Sequence, residues 1–214
     1  MKKVERKIHE YRKDYNKDSI SIENSHKNPF IQFHEWFLLA EKAGNFEPNA
    51  MVLSTCTEKL QPSSRVVLLK EYSNEKGFVF FTNYSSRKGI ELANNPKASL
   101  LFFWGTMEKQ IRIEGIIEKI TSEASDEYFY NRPLENQAGA IVSPQSNEIE
   151  DIDALKAEML KLTAQGKLKR PENWGGYALK PIYFEFWQGS LGRLHDRITY
   201  QLINNEWAKK RIAP

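Results

Sequence analysis

One cysteine, Cys56, is all the thiol chemistry in the 214-residue sequence. An internal disulfide is excluded, and the four histidines (His9, His26, His34 and His195) lie too far apart to build a structural zinc site with it. Long apolar runs are missing as well. Nowhere do about 18 apolar residues follow one another, and the basic start MKKVERKIHEYRKDYNKDS has no apolar core, so the protein is expected in the cytoplasm with no membrane partner. Charge of one sign is not concentrated: 31 Lys and Arg face 28 Asp and Glu, a formal net charge of +3, without the basic stripe of a nucleic-acid binder. No G-x-G-x-x-G follows a strand, and there is no Walker loop, H-E-x-x-H or G-x-S-x-G. Dinucleotide, triphosphate and hydrolase chemistry thereby lose their usual signatures.

A hydrophobic content of 40%, with 12% aromatics, is enough for one substantial core. Residues 1–28, charged and poor in large apolar side chains, are expected to form a mobile amino-terminal arm, and 29–214 a single domain. NPFIQFHEWFLLAEKAG places Phe30, Phe33, Phe37 and Ala40 at helical spacing before Gly44. Five strand-like runs follow: AMVLSTCT, SSRVVLLKEY, GFVFFTN, ASLLFFWG and EKQIRIEGIIEKI. In the last, Ile111, Ile113 and Ile117 alternate with Gln110, Arg112 and Glu118. SEASDEYFYNRP, opening on a serine cap, and DIDALKAEMLKL, with Ile152, Leu155, Met159 and Leu162 on one face, read as helices. GGYALKPIYFEFWQG then returns to strand, with Ile182, Phe184 and Phe186 opposing Tyr183, Glu185 and Trp187. The pattern predicts an α+β, mainly β fold with a barrel or sandwich at its centre.

Basic residues stand where a solvated surface explains them poorly. Arg65 and Lys70 bracket four apolar residues in SSRVVLLK, and buried charges require partners. In TNYSSRKG, Ser85, Ser86, Arg87 and Lys88 converge on a helix start, where dipole, N–H donors and cations together suit a phosphate. Tyr128 and Arg132, four apart in EYFYNRP, share a helical face. GRLHDR adds Arg193, His195 and Arg197, and its Asp196 reads as the partner of a nearby cation.

In chain order, RVVLLK, FFTNYSSRKG, EKQIRIEG, YFYNRP, VSPQS, NWGGY, EFWQG, RLHDR and the terminal RIAP resemble the pyridoxamine/pyridoxine 5′-phosphate oxidase family. The resemblance runs from about residue 30 to the last residue. It implies a six-stranded Greek-key FMN-binding split β-barrel with surrounding helices, working as a homodimer with FMN at the interface. By the same resemblance, FMN contacts Arg65, Val66, Val67, Leu68, Phe81 and Thr82, with Arg87 and Lys88 on its phosphate. Gln110, Gln145, Ser146, Trp187 and Arg197 complete that set, partly across the subunit interface. Lys70, Tyr128, Arg132 and Asn136 match the group that holds the substrate phosphate, Arg193 and His195 match residues over the substrate ring, and Arg12 and Tyr15 match arm residues that close over it.

The implied reaction is oxidation of pyridoxamine 5′-phosphate or pyridoxine 5′-phosphate by O2 to pyridoxal 5′-phosphate and hydrogen peroxide, with ammonia from the amine. Two positions depart from the family pattern: Asn136 stands where serine is common, and Phe81 where tyrosine is frequent. An amide can donate to phosphate as a hydroxyl can. A split-barrel flavin reductase would keep Arg65, Arg87 and Lys88 but would not need Lys70, Tyr128, Arg132 and RLHDR together. A non-enzymatic polyanion-binding protein would need clustered basic residues with exposed aromatics, and here they are dispersed.

Overall fold

The computed structural model describes residues 14–214. Helix α1 (Pro29–Lys42) begins where Asn28 accepts a hydrogen bond from Phe30 N and Pro29 fills a position whose N–H would have no partner. Its inner face is Phe30, Phe33, Trp36 and Ala40, and Phe37 lies only half-buried beside them. Phe33 fits edge-on to Phe78, Phe102 and Tyr72, so the helix drives an aromatic wedge into the core.

Among the described residues nine strands form one antiparallel sheet: β1 (Ala50–Cys56), β2 (Pro62–Leu68), β3 (Glu71–Ser73), β4 (Gly77–Asn83), β5 (Lys97–Trp104), β6 (Lys109–Lys119), β7 (Trp174–Gln188), β8 (Asp196–Ile203) and β9 (Glu206–Arg211). The predicted run SSRVVLLKEY is divided at Leu69–Lys70 into β2, which pairs with β1, and β3, which pairs with β4. Taken as one broken strand, β2 and β3 close a ring through β4, β7, β6 and β5 back to β1. That ring is the six-stranded split barrel, and the crossover from β4 to β5 through α2 (Arg87–Asn94) gives it Greek-key order. The hairpin β8–β9 extends it along β7, turning at Asn204 and Asn205, both with positive φ as a two-residue hairpin turn requires.

Inward alternation along β6 buries Ile111, Ile113 and Ile117 as expected. On β7 it holds for Phe184 and Phe186, whereas Ile182 is exposed beside Pro181, where the pairing with β6 shifts register. Helices α3 (Ser122–Tyr130), α4 (Leu134–Val142) and α5 (Ile152–Gln165) lie between β6 and β7 in the chain. Thr121, rather than Ser122, caps α3 by accepting from Ala124 N. On α5, Leu155, Met159 and Leu162 are half-buried and Ile152 is exposed.

The arm read from sequence as ending at residue 28 is narrowed by its described part, which lies on the barrel. Ile20 is buried in the core cluster, Tyr200 Oη donates to His26 O at 2.7 Å, and Lys209 Nζ donates to Ile22 O and Ser25 O. Arg12 falls outside the described residues.

Candidate functional site

A cleft of about 800 Å³ opens beside β2 and β4, between the start of α2, the α3–α4 joint and the loop around Gln145. It gathers Arg65, Val66, Val67, Leu68, Phe81, Thr82, Arg87, Lys88, Gln145 and Ser146 with Lys70, Tyr128, Arg132 and Asn136. Residues that the sequence reading assigned to a cofactor and to a substrate phosphate therefore share one space.

At one end the sequence builds a cationic cradle. Ser86 caps α2, its Oγ accepting from Gly89 N and donating to Asn83 O at 2.7 Å. Lys88 turns inward, almost fully buried, and its Nζ donates to Thr82 Oγ1 at 3.2 Å, Ser86 Oγ at 3.2 Å and Gln145 Oε1 at 2.8 Å. All three partners are neutral. Burial, with the charge of Arg65 in the same direction and Glu91 opposing, brings the Lys88 pKa down to about 8.

Arg65 reaches from β2 to Leu53 O at 3.3 Å, to Thr55, to Ser63 and to Glu91 at 3.2 Å. Arg87 meets the same carboxylate from one helical turn away, at 2.9 Å. Burial works against the charge on Glu91, but hydrogen bonds from Thr55, Ser63 and Arg87, and the charge of Arg65, outweigh it and hold the pKa at about 2. Three cations and one carboxylate leave a net positive cradle.

Gly89 is required for this geometry, because a Cβ there would stand 2.2 Å from Tyr84 O. Gly→Ala inside a helix ordinarily stabilises by about 0.5–1 kcal/mol. Gly89→Ala is expected instead to destabilise by about 1–3 kcal/mol, as an overpacked site does, and to lower Tm. Thermal unfolding of the variant checks the sign.

The other end is aromatic. Phe81 stacks on Tyr128 with ring centroids 3.8 Å apart, and on Trp174 at 5.6 Å. The Arg132 guanidinium lies over the Trp174 ring at 4.7 Å, and its buried Nη1 has no hydrogen-bond partner among the described residues. Burial lowers the Arg132 pKa, with Tyr128 opposing. Gln137 Nε2 fixes the α3–α4 joint by donating to Arg132 O at 2.8 Å. Lys70 and Asn136, both exposed, complete this rim.

The remaining site residues form a second group outside the lining of that cleft. Gln110, Trp187 and Arg197 stand in register across β6, β7 and β8. Trp187, His195 and Tyr15 pack as an aromatic trio, with Tyr15 edge-on to Trp187 at 5.8 Å and to His195 at 5.7 Å. Glu108 and Lys109 hold the segment that carries Tyr15: Asn16 N donates to Glu108 Oε2 at 3.0 Å, and Lys109 pairs with Asp18 at 2.7 Å. Ser190 N donates to His195 Nδ1 at 3.1 Å, which fixes the orientation of the imidazole ring. Arg193 is exposed with φ of 62°, a left-handed conformation uncommon for a side-chain-bearing residue. Arg197 is engaged by Glu185 at 2.8 Å and by Ala213 O at 2.9 Å, the latter from the terminal RIAP, and Asp196 pairs with Arg211 as its cation.

Sequence reasoning missed Trp174, Glu91 and Glu185. Glu91 had a signal, its i,i+4 spacing from Arg87, but a surface helix pair has the same spacing. Trp174 lies within NWGGY, where no spacing ties it to Phe81, Tyr128 or Arg132.

A family model described as pyridoxamine 5′-phosphate oxidase matches residues 39–166, and one described as the pyridoxine 5′-phosphate oxidase C-terminal dimerisation region matches 174–214. A pyridoxine/pyridoxamine 5′-phosphate oxidase of a Nostoc species is 46% identical over 215 residues, covering 99% of this chain and 100% of that protein. One from Verminephrobacter eiseniae is 45% identical over 209 residues, covering 97% and 98%. Among solved structures, PhzG from Burkholderia lata in complex with tetrahydrophenazine-1-carboxylic acid superposes with a TM-score of 0.86 at 33% identity, covering 90% of this chain and 95% of that one. A pyridoxamine 5′-phosphate oxidase-related, FMN-binding protein from Nostoc punctiforme has a TM-score of 0.72 at 14% identity over 87% and 98%, a likeness of fold. Relatives that share nearly half their residues along their whole length, and matches to both parts of the family in chain order, make this protein a member of the pyridoxamine 5′-phosphate oxidase family, an FMN-dependent oxidoreductase on a split β-barrel.

Proposed function

We propose that this protein oxidises pyridoxine 5′-phosphate or pyridoxamine 5′-phosphate with O2, giving pyridoxal 5′-phosphate and hydrogen peroxide, and ammonia from the amine. The observation that carries the reading is that one cleft holds two separate anion-suited groups, Arg65–Arg87–Lys88 and Lys70–Tyr128–Arg132. One suits the phosphate of FMN and the other the phosphate of a substrate.

The residues present fit FMN. Among the described residues Lys88 is a buried ammonium hydrogen-bonded to neutral oxygens alone, at a capped helix start, and a phosphate supplies a directly bonded counter-charge. Val66, Val67 and Leu68 offer an apolar strand edge along the cleft, and Thr82, Gln145 and Ser146 offer polar contacts. FMN, when bound, accepts the two electrons taken from the substrate and passes them to O2. Arg132, whose buried Nη1 is unpaired among the described residues, fixes the substrate phosphate together with Lys70, Tyr128 and Asn136, so the pyridine ring is held by its phosphate arm.

Gln110, Trp187, Arg197, Arg193, His195 and Tyr15 lie in the group outside the cleft, and residues 174–214 match a dimerisation region. A homodimer in which this group of one protomer completes the cleft of its partner accounts for both facts. Arg193 and His195 then stand over the substrate ring and orient it, and Tyr15, packed on Trp187 and His195, covers it.

A second reading is an oxidase of a reduced aromatic carboxylic acid, favoured by the likeness to PhzG with its bound tetrahydrophenazine-1-carboxylic acid. Peroxide formation in air by FMN-loaded protein separates the two. Turnover of pyridoxine 5′-phosphate far above that of pyridoxine supports the first. Turnover of the reduced phenazine carboxylate alone supports the second. Arg193→Ala is expected to lower kcat/KM by about 10- to 150-fold, the range for a lost hydrogen bond to a charged group, with FMN content unchanged. Unchanged kinetics would remove Arg193 from the substrate site.

A further inference from the structure

We infer that Glu91 is a positioning residue for the cofactor phosphate, setting Arg65 and Arg87 as a rigid pair at the cationic end of the cleft. The inference rests on the proposed placement of that phosphate at Arg65, Arg87 and Lys88.

The geometry is specific. Glu91 is 4% exposed and sits in the second turn of α2, beneath the β1–β2 hairpin. Its Oε1 takes the Nε of Arg87 at 2.9 Å, and its Oε2 takes Ser63 at 2.7 Å, Thr55, and the Nη2 of Arg65 at 3.2 Å. Three elements thus meet at one carboxylate: β1 through Thr55, β2 through Ser63 and Arg65, and α2 through Glu91 itself with Arg87. Both arginines line the cleft, and Glu91 does not. The carboxylate acts only through them.

Long arginine side chains lose rotamer freedom when they bind a ligand, and a site that orders them beforehand binds more tightly. A buried acid can do this only if its own charge is satisfied, and four donors satisfy it here. The carboxylate also carries a negative charge near a proposed dianion, so electrostatics alone would have its removal strengthen binding. Preorganisation and simple repulsion therefore predict opposite signs.

The test compares FMN with riboflavin, which lacks the phosphate, by quenching of flavin fluorescence on titration into apoprotein. Wild type is measured first. If it binds the two equally, the phosphate is not held at this cradle, and both the placement and the inference fall. With FMN preferred, Glu91→Gln keeps the shape and removes the charge. FMN affinity is expected to drop by about 10-fold or more, the lower end for losing charge-assisted hydrogen bonds, with riboflavin affinity unchanged.

Equal loss for both flavins would reduce Glu91 to a packing role, and unchanged or tighter FMN binding would leave repulsion dominant. Either overturns the inference. Should E91Q not accumulate as folded protein, Glu91→Asp retains the charge but withdraws the carboxylate by one methylene. The same phosphate-selective loss is expected from it, and a loss shared by riboflavin overturns the inference.

Discussion

Exchanging Lys88 for methionine is expected to weaken FMN binding by about 10- to 150-fold, the range for one hydrogen bond to a charged group. It should raise the Tm of the apoprotein at the same time. The two effects have one cause. Lys88 is buried among Thr82, Ser86 and Gln145 with no carboxylate among its hydrogen-bond partners in the described residues, so its charge is costly until a phosphate arrives. Methionine keeps the volume and removes the charge. Titration of FMN into apoprotein and thermal unfolding without FMN read the two effects separately. A Tm that falls as affinity falls would make Lys88 a structural residue.

The pH dependence of the wild type follows with a definite sign. The lysine pKa is about 8 in the folded apoprotein against an ordinary 10.5. Between those values the unfolded chain holds a proton that the folded one has released, so this group's contribution to apoprotein stability improves as pH rises from about 8 to 10.5. FMN affinity runs the other way. The FMN phosphate is already dianionic above pH of about 6, and binding it above pH 8 requires proton uptake by Lys88, so affinity falls by up to about tenfold per pH unit. A flat profile from neutral pH to well above 8 would show that the lysine charge does not contribute.

Replacing Arg132 with alanine is expected to lower kcat/KM for pyridoxine 5′-phosphate by about 10- to 150-fold while leaving FMN binding intact. Its Nη1 has no partner among the described residues, and the Trp174 ring holds its plane, so the guanidinium is already set for a bidentate anion. Arg132→Lys should not restore activity, because a point charge replaces a planar fork stacked on an indole. Unphosphorylated pyridoxine serves as the internal control: its lower kcat/KM should be indifferent to either change. Equal losses with both substrates would place Arg132 in scaffolding.

The barrel strands, the α1 wedge and the capped start of α2 were readable because each depends on neighbours within a few residues. Alternation along β6 and the serine before Arg87-Lys88 are of this kind. What escaped was set by distant pairs. Ile182 reads as an inward residue by alternation, yet it is turned to the surface where β7 bends beside Pro181 and its register with β6 shifts. Residues 14–28 read as a free arm because they are polar, yet single contacts from Ile20, Asp18 and Asn16 hold them to residues more than ninety positions away or to the core.

The cleft shows the same division. Its cations, hydroxyls and aromatics were legible as types, because buried or helix-start charge demands an anion whatever the fold. Sequence could not show that Arg65 and Arg87 share one buried carboxylate, that Arg132 lies on Trp174, or that Trp187, His195 and Tyr15 assemble away from the cleft. Residue identity determined by itself which groups could bind phosphate and which runs would pleat or coil, since those are local properties of side chains and backbone. Tertiary structure alone decided which charges became partners and which were left for a ligand, because that depends on distances of a few ångströms between segments far apart in the chain.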